Sequence, residues 1–206
     1  MMRSIRFAAL AISALALAGC VSLLPKSKPA HLYRFGQPAA AELASVPTGT
    51  VGVLRSTSVF PREAAGDRIL TVTGGQVAYL AESRWAAPAT TLWDQAVLAA
   101  FDADPGPVRL VSRGEPTSAA YVLRLDVRNF EAHYDRGPET APEVLVRVRV
   151  AMVQSGQANA VNEQIIEARV RAGDNRVSAI VGAYDAAVSE VLGKVVSWTN
   201  GAARPT

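Results

Sequence analysis

Apolar residues alternate with polar ones at period two through several segments, and recur near every 3.6 residues in two longer ones. His31 to Phe35 makes a short candidate strand, and Thr50 to Ser56 a second, with Val51, Val53 and Arg55 on one face. An Ala/Pro-rich stretch at 37–48 connects them. Arg68–Thr73 and Gln76–Leu80 flank Gly74-Gly75, a two-residue hairpin signal. Pairing Thr73 with Gln76 sets Val72 opposite Val77 and Leu70 opposite Tyr79, so one face is expected to be uniformly apolar. Pro88 is then expected to open a helix at its first position, where a missing N–H does no harm. Leu92, Trp93, Ala96, Val97, Ala100 and Phe101 form its apolar stripe, and the Asp-Pro-Gly-Pro cluster at 104–107 ends it.

Beyond a short strand at Val108–Val111, the alternation lengthens. Ala120 to about His133 reads as one long strand, and Glu143 to Gln154 as the next. The second carries Val144, Val146, Val148, Val150 and Met152 on one face and Arg147 and Arg149 on the other. Gln164 to Arg171 follows the same pattern, so the three form an antiparallel meander with one wet face. A helix from Val177 to about Trp198 closes the chain, with Asp174 or Asn175 as its expected N-cap. The pattern predicts an α+β domain over 31–200, a mixed, largely antiparallel sheet with two amphipathic helices packed on it, followed by a tail at 201–206. No internal repeat or low-complexity region interrupts it.

Residues 1–19 read as a signal peptide. Arg3 and Arg6 form a positive head, and Phe7–Ala18 an apolar run of twelve residues. As a helix that run spans roughly 18 Å, too short for a bilayer core of about 30 Å. Leu17-Ala18-Gly19-Cys20 follows, and it resembles the bacterial lipobox, in which the Cys thiol is acylated. The alternative is a conventional secretory signal with a chance Cys. Residues 20–30 hold two Pro, two Lys and two Ser and read as a lipidated tether. Several acyl chains, each gaining about 0.8 kcal/mol per buried CH₂, make such an anchor permanent. Val21 and Ser22 stand where an Asp would resemble an inner-membrane retention signal, so outer-membrane sorting is expected, facing the periplasm.

Composition narrows the function. Half of the 206 residues are hydrophobic and 19% are charged, enough for a packed core and unlike a disordered chain. One Cys and two His leave no disulfide framework and no zinc cluster, and no cofactor is expected. Without Arg3 and Arg6 the 21 basic residues become 19 against 18 acidic ones, a net +1 in place of +3. That balance lacks the basic face that nucleic-acid binding needs.

Catalytic patterns are missing as well. The chain has no G-x-S-x-G elbow, no Walker loop, no G-x-G-x-x-G and no H-E-x-x-H. Gly74-Gly75 is a hairpin turn and not a phosphate loop, because no helix follows it. His133 could pair with Asp126 or Glu131, but reads as a polar residue at a strand end. The expectation is a protein that is not an enzyme; a periplasmic lipid hydrolase would lack a nucleophile and base.

Tyr79, Arg84, Trp85, Ala86 and Pro88 lie in the passage from the hairpin to the first helix. With the lipobox and the early Leu32-Tyr33-Arg34-Phe35 segment, this Tyr…Arg-Trp-Ala-x-Pro pattern resembles the ABC-type transport auxiliary lipoprotein component family. These are the lipoprotein partners of Mce-type and paraquat-inducible lipid transport systems. The resemblance covers most of residues 17–200. It implies a non-enzymatic, outer-membrane lipoprotein subunit that is held at the membrane by Cys20 and binds the Mce-type substrate-binding protein of an ABC transporter. It leaves a homo-oligomer open. Tyr79, Arg84, Trp85 and Pro88 would serve as structural anchors or partner contacts, with Trp85 pinning the hairpin to the helix. The alternative class is a structural assembly lipoprotein of another envelope complex.

Overall fold

The computed structural model describes residues 29–36, 51–111, 119–157 and 160–203. The signal peptide, Cys20 and the Ala/Pro-rich stretch lie outside the described residues. The organising strand is β6, Tyr121–His133, flanked on one edge by β7, Glu143–Gln154, along its whole length. Next to β7 lies β8, Ala160–Arg171, again antiparallel. These are the three strands of the expected meander, with β8 starting four residues earlier than the alternation suggested. Val144, Val146, Val148, Val150 and Met152 all lie inward and buried.

The other edge of β6 is shared. Its first residues pair in parallel with β2, Val51–Arg55, from Val53↔Tyr121 to Arg55↔Leu123. Its last residues pair in parallel with β3, Arg68–Thr73, through Thr71↔Ala132 and Val72↔His133. Val59 bridges Asp126 between them. Beyond β2 lies β5, Val108–Val111; beyond β3 come β4, Gln76–Trp85, and finally β1, His31–Tyr33. The eight-stranded sheet is thus mixed: its long strands pair antiparallel and its short ones mostly in parallel.

Helices α1, Ala89–Asp102, and α2, Val177–Ala202, complete an α+β fold, with α2 packed on β7, β8 and α1. The predicted stripe of α1 is buried except for half-buried Ala100, and along α2 the helically spaced Ile180, Tyr184, Val188, Val191 and Val195 lie in the core. No helix of the described residues is long and apolar enough to cross a membrane. Both predicted helix starts need correction. Pro88 sits at the N-cap of α1 with an extended ψ of 139°, so the helix begins one residue later. Arg176, not Asp174 or Asn175, occupies the N-cap of α2. Asn175 is spent elsewhere: it accepts from the Tyr134 hydroxyl at 2.9 Å and donates to the Pro138 carbonyl at 2.9 Å. At the other end α2 passes residue 200, reaching Ala202 with Ala203 buried, so the expected tail starts too early.

The hairpin adopts the predicted register, Thr73↔Gln76, Val72↔Val77 and Leu70↔Tyr79. Gly74 and Gly75 have φ of 53° and 85°, the positive pair that a tight two-residue turn demands. Its face is not uniformly buried, however. Leu70 is enclosed, Val72 and Tyr79 are half-buried, and Val77 is 54% exposed, because the turn projects past the neighbouring strands.

The outward face of the meander is a lattice of ion pairs. Glu167 accepts from Arg147 Nε at 2.7 Å and Arg169 Nε at 3.2 Å; Arg171 forks onto Asp135 at 2.8 Å twice; Arg149 pairs with Glu163. Hydrogen bonds from these guanidiniums hold Glu167, Asp135 and Glu163 below the ordinary carboxylate range. A depressed folded-state pKa adds stability that is present above that range and lost as pH falls through it. Melting temperature should therefore drop on acidification below about pH 4, and drop less steeply in Glu167→Gln. Identical slopes for the two proteins would refute the linkage.

Close packing at Gly36 sets a second local constraint. Its φ is +66°, and a Cβ there would lie 2.4 Å from the Ala96 Cβ on α1. Its N–H donates to Asp185 Oδ1 of α2 at 2.7 Å, so the segment is wedged against both helices. Gly36→Ala should cost about 1–3 kcal/mol by overpacking, read from denaturant melts. An unchanged midpoint would show that the helices yield freely.

Candidate functional site

The passage from Tyr79 to Pro88 does one structural job, and the sequence alone does not show it. Tyr79, Arg84 and Trp85, with the amides just past Pro88, take hold of the turn at Pro61–Asp67. The Tyr79 hydroxyl donates to the Glu63 carbonyl at 3.2 Å. Arg84 Nη1 donates to both carboxylate oxygens of Asp67, at 3.1 and 3.0 Å. The Trp85 N–H donates to the Asp67 carbonyl at 2.6 Å. Just past Pro88, the first free amides of α1 turn the same way: Ala89 donates to Gly66 at 2.9 Å and Thr90 to Ala65 at 3.5 Å. Carbonyls of the turn thus replace the side-chain cap that α1 lacks. The Ala86 N–H donates to the Tyr33 carbonyl at 2.7 Å, tying the passage to β1.

The strand itself is irregular here, which the alternation does not reveal. β4 continues to Trp85 instead of ending at Leu80, and a bulge separates Leu70↔Tyr79 from Arg68↔Arg84. Within it Glu82 has φ of +52°, a left-handed backbone that is uncommon for a non-glycine residue. The bulge lets β1 pair in parallel with Ser83, Arg84 and Trp85.

Behind this layer lies an aromatic core. Trp85 is 2% exposed and meets Phe35 edge-on at 4.9 Å and Tyr184 at 5.2 Å. Phe130 touches Phe35, Tyr184 and Phe60, and Phe60 packs edge-on against Trp93. Such edge-to-face pairs add about 0.5–1.5 kcal/mol each beyond area burial. Tyr184 donates to the Leu70 carbonyl at 2.7 Å, and burial pushes its phenol well above the ordinary value, so it stays a donor. The cluster joins the segment after β1 to β4, β6 and both helices. The sequence singles out Trp85 but not Phe35, Phe130 and Tyr184 as its partners, since nothing local links residues so far apart.

Outside the bulge an open groove of about 550 Å³ is lined by Pro29, Ala30, Arg68, Leu80, Glu82 and Arg84. The Arg68 guanidinium lies 3.8 Å over the Tyr79 ring. Among the described residues, no group of three or more His, Cys, Asp and Glu side chains could hold a metal ion. His133 Nε2 lies 2.9 Å from Glu131 Oε1, while Asp126 pairs with Arg128. Glu131 also accepts from Asn129 at 2.6 Å, so the histidine belongs to a strand-surface network.

Comparison with known structures shows the same fold. A Xanthomonas campestris protein of the DUF330 family superposes with a TM-score of 0.66 at 21% identity, covering 84% of this chain and 93% of its own. A hypothetical protein from Chlamydia trachomatis gives a TM-score of 0.50 at 11% identity, covering 73% and 96%. No curated protein matches the chain. The family model for the ABC-type transport auxiliary lipoprotein component matches residues 33–196, from β1 through most of α2. The chain belongs to the ABC-type transport auxiliary lipoprotein component family.

Proposed function

We propose that this protein is a non-enzymatic, outer-membrane subunit of an Mce-like lipid transport system, anchored through acylated Cys20. The observation that carries this reading is the family match over 33–196, which spans the turn clamp and the aromatic core. Further support comes from what the motif residues do. Trp85 is spent on packing and Tyr79 and Arg84 on holding the Pro61–Asp67 turn, so together they stiffen the surface around that turn. A docking subunit needs that. Moving a lipid between membranes exposes acyl CH₂ groups at about 0.8 kcal/mol each, and a protein seated at the far membrane can shorten that exposure without chemistry.

Affinity purification of the tagged, full-length lipoprotein from crosslinked cells tests the proposal. The Mce-type substrate-binding protein should co-purify, and the purified chain should not hydrolyse ester substrates. Recovery of only peptidoglycan synthases or pilus components would replace this reading with assembly of another envelope complex.

A further inference from the structure

We infer that the edge of the sheet formed by β1 and the bulge of β4 lies against an anionic phospholipid surface, with Leu32 at the headgroup level. The inference rests on the acylation of Cys20 proposed above and adds which face of the domain meets the bilayer. Nine residue steps separate Cys20 from Pro29, so Pro29 stays within about 32 Å of the headgroups even with the chain fully extended. That is shorter than α2, whose 26 residues run roughly 39 Å. This edge is therefore the part of the domain always kept near the membrane.

Its chemistry suits that place. Leu32 is 65% exposed on a terminal strand, where a large apolar side chain gains nothing from water. Leu32 stands in register with Arg84, and Arg84 with Arg68, so one leucine and two guanidiniums form a row across β1, β4 and β3. The same two arginines line the 550 Å³ groove, which opens beside Pro29 and Ala30 where the tether arrives. Glu82 in the groove and Asp67 beside it match the formal charge of these two arginines. From Val21 to Arg34, however, the chain carries Lys26, Lys28 and Arg34 and no acidic residue, so this end keeps a cationic surplus. Near an anionic leaflet each such cation contributes roughly five-fold in association.

Full-length acylated protein in phosphatidylglycerol-containing vesicles provides the test. The chain has one Cys, which the acyl group occupies, so a cysteine introduced at position 32 or 165 takes a single fluorescent label. Ile165 is the control: it is 61% exposed on β8, five strands across the sheet from β1, roughly 24 Å. The Leu32→Cys probe should be quenched by headgroup-level nitroxide lipids and the Ile165→Cys probe should not. Arg68→Gln with Arg84→Gln should weaken the quenching at position 32, about five-fold per arginine, while vesicle flotation stays intact. Neutral phosphatidylcholine vesicles should weaken it likewise. Equal quenching at the two positions, or quenching at 32 that ignores both the arginines and the lipid charge, would overturn the inference. Failure of the parent protein to float with vesicles would overturn the acylation beneath it.

Discussion

Trp85→Ala is expected to destabilise the domain by about 3–5 kcal/mol, a large share of what a domain of this size possesses. Removing the indole leaves a cavity at the junction of β4, β6 and α2, and takes away the edge-on contacts to Phe35 and Tyr184. Phe35 and Phe130 still touch each other, so the cluster cannot simply collapse onto the gap. The backbone bond from Trp85 to Asp67 remains, and the loss is one of packing. Urea denaturation checks this, and Trp85→Phe should recover part of the loss by refilling the space. If Trp85→Ala melts like the parent but no longer associates with a transporter subunit, the residue acts through a partner and not through the core.

Cys20→Ala is expected to abolish incorporation of a fatty-acid analogue and to release the protein from the membrane fraction. The lipobox directly after the apolar run motivates this, and each acyl CH₂ withdrawn from water is worth about 0.8 kcal/mol, so losing the chains is not a graded change. Label on the alanine variant would place the acyl group elsewhere or show that none is attached at Cys20.

The two variants separate the anchor from the fold, and they draw on different kinds of information. The role proposed for Cys20 comes from sequence alone, because a processing signal is read as a linear string, before any tertiary structure exists. Trp85 stands out as a residue, but its role depends on Phe35, Phe130 and Tyr184, which come from three distant parts of the chain. Tyr79 and Arg84 are similar: their partners Glu63 and Asp67 lie in a turn with no sequence feature to recommend it.

Period-two alternation by itself determined the β6–β7–β8 meander and its buried face, since neighbours joined by short turns pair by default and one face must leave water. The glycine pair determined the hairpin register, because only residues free to adopt positive φ close that turn. Helical periodicity determined the buried stripes of both helices. Tertiary structure alone decided the parallel pairings of β1 with β4 and of β2 and β3 with β6, because a strand's pattern carries its faces but not its neighbours. It also decided the helix starts. The amides of Ala89 and Thr90 find acceptors in the Pro61–Asp67 turn, and Asn175 is drawn away to Tyr134 and Pro138. Capping preference is a matter of about 1 kcal/mol, and a better-placed distant partner outweighs it.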